Sequence, residues 1–283
     1  MGAPFRQPEW SALALIEAPD FVRRAHQGYV DAGADVLTTN SYAVVPFHIG
    51  AQRFAQRGEA LADLAGRLAR AVADAAGRPV SVAASLPPVC GSYRADLFRP
   101  EDARPVLETL IRGLRPHAHL WLAETLSLIE EAELVRELLG ADPRPLWLSF
   151  TLRDDGALAG DPRLRSGQTV AQAVAAAVRL DAAAVLFNCS QPEVMGDALE
   201  AAVRAVRGSA HPTLRIGVYA NAFAPQTASA EANSGLDDIR QDLTPAGYLG
   251  WARQWRALGA DIIGGCCGIG PEHIAALRTA LRD

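Results

Sequence analysis

Two adjacent cysteines set among glycines, Gly264-Gly265-Cys266-Cys267-Gly268, are the residues whose types and spacing most directly suggest chemistry. They follow a short apolar run, Ala260-Asp261-Ile262-Ile263, that reads as a strand. Successive side chains of a strand point to opposite faces, so neighbouring thiols converge only where the strand ends and glycines let the backbone turn. Such a pair suggests either a vicinal disulfide or two thiolate ligands for a soft metal, and by itself leaves both open. A third thiol, Cys189, follows another apolar run in Asn188-Cys189-Ser190. Three thiolates with one open position are the plan of a catalytic zinc site, because structural zinc is closed by a fourth protein ligand. Sulfur ligands favour zinc over magnesium or calcium. Three of them make zinc a poor activator of water but leave a bound thiolate nucleophilic, which points to alkyl transfer to sulfur.

The elements that must bring these thiols together form a repeated strand-then-helix alternation with no break in composition that would mark a linker. Helices are predicted over residues 20–32, 58–76, 101–114, 127–139, 169–180 and 192–206, with two more opened by Thr244-Pro245 and by Pro271. Ser127, with Glu130 and Glu131 after it, carries a capping-box pattern. Strands are predicted over 34–40, 79–85, 119–123, 146–151, 183–187, 214–219 and 260–265. Parallel strands joined by right-handed helical crossovers predict an α/β fold of the TIM-type (β/α)8 barrel kind, a single domain over residues 1–283. The pattern yields eight helices but seven strands, and the strand without a counterpart is the first. Either the chain begins after that strand, the favoured expectation, or its N-terminal tail fills the gap another way. The connection over 220–243 is too long for an ordinary βα loop and is read as functional.

In such a barrel the active site lies at the C-terminal ends of the strands. Those ends carry Thr38, Asn40 and Tyr42; Ser85; Glu124; Ser149 and Thr151; Asn188 and Cys189; Tyr219 and Asn221; and Cys266 and Cys267. Three of the four cysteines thus meet at one rim, and Cys90, in a rim loop, is read as incidental. The six histidines fall on helices, loops or strand starts and are read as surface or packing residues. A net charge of −5 gives no sign of nucleic acid or an anionic membrane as partner. No apolar run approaches a membrane span, and residues 1–10 lack the pattern of a secretory signal, so a cytoplasmic location is expected.

Several segments together resemble the homocysteine S-methyltransferases, which include S-methylmethionine-dependent enzymes, betaine–homocysteine methyltransferase and the homocysteine domain of cobalamin-dependent methionine synthase. They are Ala32 to Tyr42, Glu124-Thr125, Ser149 to Asp154, Asn188-Cys189, Val218 to Asn221 and Gly264 to Gly268. The resemblance implies that Cys189, Cys266 and Cys267 bind zinc and that homocysteine sulfur takes the fourth position. It implies that Glu124 holds the homocysteine ammonium, the alternative being a cap for the helix at Ser127. Tyr42 matches a tyrosine near the metal that can fill the open position when substrate is absent. Asn40, Thr151, Asn188 and Asn221 are implied as further substrate-binding residues. Trp10 falls where betaine-using relatives carry a tryptophan on the donor side, and a π face suits an onium methyl donor; the alternative is packing.

The implied partners are small molecules, homocysteine and a methyl donor, S-methylmethionine ahead of S-adenosylmethionine and betaine, with methionine as product. The oligomeric state is left open. Two departures accompany the match. Met1-Gly2-Ala3-Pro4-Phe5 stands where the family has a strand with an Asp-Gly-Gly turn, whose acidic residue helps bind the amino group. Ala220 and Ala222 to Pro225 replace the family's proline and Ser-Gly-Glu-like continuation around Asn221. The second reading is a non-catalytic zinc-binding or redox-sensing protein on the same scaffold, with Cys266 and Cys267 as a switchable pair.

Overall fold

A computed structural model describes residues 2–154, 160–209, 211–224 and 239–282. Seven parallel strands run in chain order: β1 (Val36–Thr38), β2 (Ser81–Leu86), β3 (Leu120–Leu126), β4 (Leu146–Phe150), β5 (Ala184–Asn188), β6 (Arg215–Tyr219) and β7 (Ile262–Ile263). Each pairs with the next, and β1 and β7 are the edges. The α-helices are α1 (Ala12–Glu17), α2 (Pro19–Asp31), α3 (Pro46–Ile49), α4 (Ala51–Asp74), α5 (Pro100–Leu114), α6 (Ile129–Leu139), α7 (Val170–Arg179), α8 (Pro192–Arg207), α9 (Pro245–Ala257) and α10 (Pro271–Ala280).

The central strands β3, β4 and β5 are buried along their whole length, as strands covered on both faces must be. One face carries a compact apolar cluster of Ala83, Leu120, Leu122, Trp147, Ala184 and Leu186, against which Val36, Tyr219 and Ile262 pack. Every strand contributes to it, so the sheet curls until both edges approach one interior. The opposite face meets the helices in a much larger core.

The helical layer closes across the gap between β7 and β1. The Tyr29 hydroxyl of α2 donates to the Ile269 carbonyl at 2.9 Å, and Arg278 of α10 donates to Asp35 at 2.7 Å. Gly33 (φ +99°) ends α2 where a Cβ would lie 2.6 Å from the Arg278 side chain, so this approach requires glycine. Among the described residues no strand lies between the two edges, in agreement with the seven-strand count. The N-terminal segment is helical and buries Ala12 to Leu15 in the core with the helices. It does not supply an eighth strand, because Ala12–Glu17 is an α-helix that packs with the helical layer.

Two further expectations are corrected. The long helix predicted over 58–76 is α4 and starts at Ala51, after Gly50, whose φ of +83° breaks it from α3. Ser127 does not cap α6 with its hydroxyl: Glu131 does the capping, its carboxylate accepting from the Ser127 and Leu128 amides at 2.7 and 3.2 Å. The glutamate half of the capping pattern is present, but the serine hydroxyl finds no partner among the described residues.

Candidate metal and thiol-transfer site

Strand alternation sets the interior. Above the apolar layer, the next inward position of each strand is Thr38, Ser85, Glu124, Ser149, Asn188, Tyr219 and Gly264. A polar layer thus sits on an apolar one at the C-terminal ends of the strands, and the three cysteines come just beyond it.

Cys189 follows β5 with φ +54°, a left-handed conformation that turns its buried side chain toward the end of β7. Its amide donates to the Tyr219 carbonyl, and Thr151 bonds to the neighbouring Ser190 hydroxyl at 3.1 Å, bracing the turn. Beyond β7 the backbone is held by Cys266 N donating to Ala220 O at 2.9 Å and Ala222 N donating to Cys267 O at 2.8 Å. Two glycines make this turn possible. A Cβ at Gly265 would sit 2.1 Å from Ile269 Cγ2, and Gly268 has φ +80° with Ala222 Cβ 2.8 Å from where its own would lie.

The three sulfurs converge. Cys189 Sγ lies 2.9 Å from Cys266 Sγ, Cys266 Sγ lies 4.0 Å from Cys267 Sγ, and all fall within 4.8 Å of one another. This is the one possible ligand group of its kind among the described residues. Two sulfurs bound tetrahedrally to one zinc at about 2.3 Å lie about 3.8 Å apart. Cys266 and Cys267 match that separation, and Cys189 needs a shift of under about 1 Å. Three sulfurs crowded this closely are a donor set suited to a soft metal ion. All three candidate ligand atoms are on this chain.

Glu124 stands below the sulfurs, 8 % exposed and held at both oxygens. Ser85 Oγ donates to Oε2 at 2.6 Å, and the Tyr219 hydroxyl donates to Oε1 at 3.2 Å. Burial pushes its pKa up to about 7, the Ser85 hydrogen bond opposes that, and the nearby Cys189 adds to it. It takes no part in capping α6.

The other expected residues divide. Asn188 is fully buried and engaged at both ends, Ser149 donating to its Oδ1 at 2.7 Å and its Nδ2 donating to Thr125 at 2.8 Å. With Thr151 it braces the rim. Asn221 is equally buried, and its Nδ2 has no hydrogen-bond partner among the described residues. Asn40 ties the rim to the N-terminal segment, its Nδ2 donating to Ser11 O at 3.1 Å. Trp10 lies in that segment with its ring edge-on to Phe5 and His48. Tyr42 shares a 2.8 Å hydrogen bond with Ser92 rather than with a sulfur.

The tyrosine that reaches a sulfur is Tyr93, whose hydroxyl donates to Cys189 Sγ at 3.2 Å. Sequence reasoning assigns it no role, since a tyrosine in a rim loop carries no spacing signal. Tyr219 is expected at the rim, but its bond to Glu124 depends on the curl of the sheet. Cys90 stays apart, its thiol 3.9 Å from the Arg99 carbonyl. Of the connection over 220–243, residues 225–238 lie outside the described residues. Its described ends form a bridge between Phe223 and Ile239, with Arg240 paired to Glu193 and Asp242.

A curled parallel sheet presenting three convergent thiols and a buried carboxylate at one rim defines a class of (β/α)8-type proteins whose rim could hold a metal ion. The family model described as homocysteine S-methyltransferase matches residues 3–281, and the chain belongs to that family. It is 33% identical over 295 residues to the homocysteine S-methyltransferase of Escherichia coli K12, covering 95% of this chain and 87% of that one. It is 29% identical over 307 residues to homocysteine S-methyltransferase 4 of Zea mays, covering 100% of this chain and 85% of that one. The crystal structure of the Escherichia coli homocysteine methyltransferase MmuM, in an oxidised form, superposes with a TM-score of 0.77 at 28% identity, over 98% of this chain and 90% of that one.

Proposed function

We propose that this chain moves a methyl group from an onium donor to the thiolate of homocysteine, giving methionine, with zinc held by Cys189, Cys266 and Cys267. The convergence of the three sulfurs within 4.8 Å carries the reading. A zinc ion bound there would keep the substrate sulfur as thiolate near neutral pH. Family membership favours this enzymatic role over a purely redox-sensing one.

The chain's own residues supply orientation. Glu124 offers its carboxylate to the substrate ammonium, fixed by Ser85 and Tyr219 so that both oxygens keep one direction. Asn188 and Thr151 hold the turn that aims Cys189, and Asn221, with a free amide donor among the described residues, is suited to an oxygen of the amino acid. The substrate sulfur attacks the donor methyl carbon in line; the new S–CH3 bond forms as the S+–CH3 or N+–CH3 bond breaks and its electron pair stays on the departing neutral molecule. No general base is needed at that step, because the attacking sulfur has already lost its proton. Catalysis is then mostly positioning.

S-Methylmethionine is the preferred donor in this reading, followed by S-adenosylmethionine and betaine. The test incubates zinc-loaded, reduced protein with homocysteine and each donor in turn and follows methionine. S-Methylmethionine should give the highest rate. Absence of methionine from all three donors, with zinc bound, would sink the proposal.

A further inference from the structure

Tyr93 has no assigned part in the reaction, yet it is built into place. Its backbone sits at φ +66°, a region an aromatic residue occupies only when its surroundings force it. The Arg165 guanidinium lies over its ring, 5.1 Å from the centroid. Arg165 is itself fixed by a 2.8 Å ion pair with Asp154, the two side chains 4% and 1% exposed. The Arg165 amide also donates to Thr151 O at 3.3 Å, which ties this support to the end of β4. All of it serves to hold one hydroxyl 3.2 Å from Cys189 Sγ.

The chemistry of the proposed site gives that hydroxyl a task. Three cysteinates around a dication leave a net negative charge, and a fourth thiolate adds another. Burial leaves few groups able to disperse that charge. A phenol donates a hydrogen bond without adding charge of its own, and an ordinary phenol, with a pKa near 10, keeps its proton at neutral pH.

We propose that Tyr93 is a positioning residue of the thiolate site: its hydroxyl hydrogen-bonds the Cys189 thiolate, draws charge from that sulfur, and so sets how tightly the cysteines hold their metal. This rests on the metal site proposed above. Groups that hydrogen-bond metal ligands commonly account for ~10–100-fold in metal affinity.

The experiment measures zinc affinity by competition with a chromophoric chelator, and the sulfur-to-metal charge-transfer band of the cobalt-substituted protein. Tyr93→Phe removes only the hydroxyl. It should weaken zinc binding by about 10-fold or more and move the cobalt band to lower energy, because the sulfur lone pairs lose a stabilising proton. Tyr93→Leu removes the ring as well. If the ring merely packs, Tyr93→Phe will match the wild type in both readouts while Tyr93→Leu loses affinity, and the proposal is overturned. Should Tyr93→Phe fail to fold, Arg165→Gln leaves the hydroxyl but loosens the ring; a smaller shift in the same direction supports the role and an unchanged band refutes it. A wild-type protein that binds neither zinc nor cobalt would instead overturn the underlying metal site.

Discussion

At the scale of single residues, the thiols and one carboxylate define the chemistry. Cys189→Ala should abolish both zinc binding, read by metal analysis, and methionine formation, whereas Cys90→Ala should change neither. Zinc retained at full stoichiometry in Cys189→Ala would refute the ligand set. Glu124 sets a pH dependence. Its pKa, raised to about 7, means that the carboxylate proposed to meet the substrate ammonium is only partly formed below neutrality. Homocysteine KM should therefore fall as pH rises through about 7. Glu124→Gln should raise KM by about 10–100-fold, the worth of one hydrogen bond to a charged group, and lose the part of the pH dependence that Glu124 contributes. A KM profile in Glu124→Gln parallel to the wild type between pH 6 and 8 would remove Glu124 from that role. The cysteines are legible in the sequence because adjacent thiols flanked by glycines at a strand end suit little besides a soft metal or a vicinal disulfide. Tyr93 is not, because its meaning depends on φ +66° and on Arg165, neither of which leaves a mark on composition or spacing.

At the scale of elements, the turn after β7 and the start of α6 show opposite kinds of local control. Gly265→Ala should push Ile269 aside, given the 2.1 Å approach, and so misplace Cys266 and Cys267. Zinc affinity should drop at least 10-fold while far-ultraviolet circular dichroism stays unchanged; unaltered affinity would show that the turn accommodates the methyl. Glu131 works through burial, which pushes its pKa up to about 7 while the Ser127 and Leu128 amides oppose the shift. A carboxyl raised in the folded state binds its proton more tightly there, so stability is greatest below the unfolded value and declines as pH climbs toward about 7. Glu131→Gln keeps an acceptor for the amides without the buried charge. Its stability should match the wild type near pH 4, below the unfolded value, and exceed it near pH 8 by up to about 3 kcal/mol, measured by urea unfolding. The strand-and-helix alternation is readable because each strand is a buried apolar run and each helix is amphipathic. The short helices α1 and α3 escape such a reading: six and four residues give periodicity too little length to register.

At the scale of the whole molecule, the edge strands set where stability is lowest. β1 has three residues and β7 two, each paired on one side only, whereas β3 to β5 are buried throughout. Amide hydrogen exchange should accordingly be fastest at β1 and β7 and slowest at β3 to β5. Equal protection across the sheet would mean that the seam is covered. The count of seven strands is available from the sequence, but the way α2 and α10 meet over the gap is not. That meeting rests on Tyr29 with Ile269 and Asp35 with Arg278, pairs 240 and 243 positions apart. The position of the cysteines on this frame has a thermodynamic consequence. Cys189 follows the interior strand β5 and the vicinal pair follows the edge strand β7, so under the proposed metal site an ion shared by all three would work as a clasp that straddles β6 and pins the loose end of the sheet to its rigid middle. Free energy of ion binding would then become free energy of holding the last β/α unit in place, about 2.7 kcal/mol when free zinc stands at 100 times its dissociation constant. Chelation should then raise exchange at β7 and α10 well before it reaches β3, so that metal supply would govern how long the last strand stays in place as well as whether the site can work.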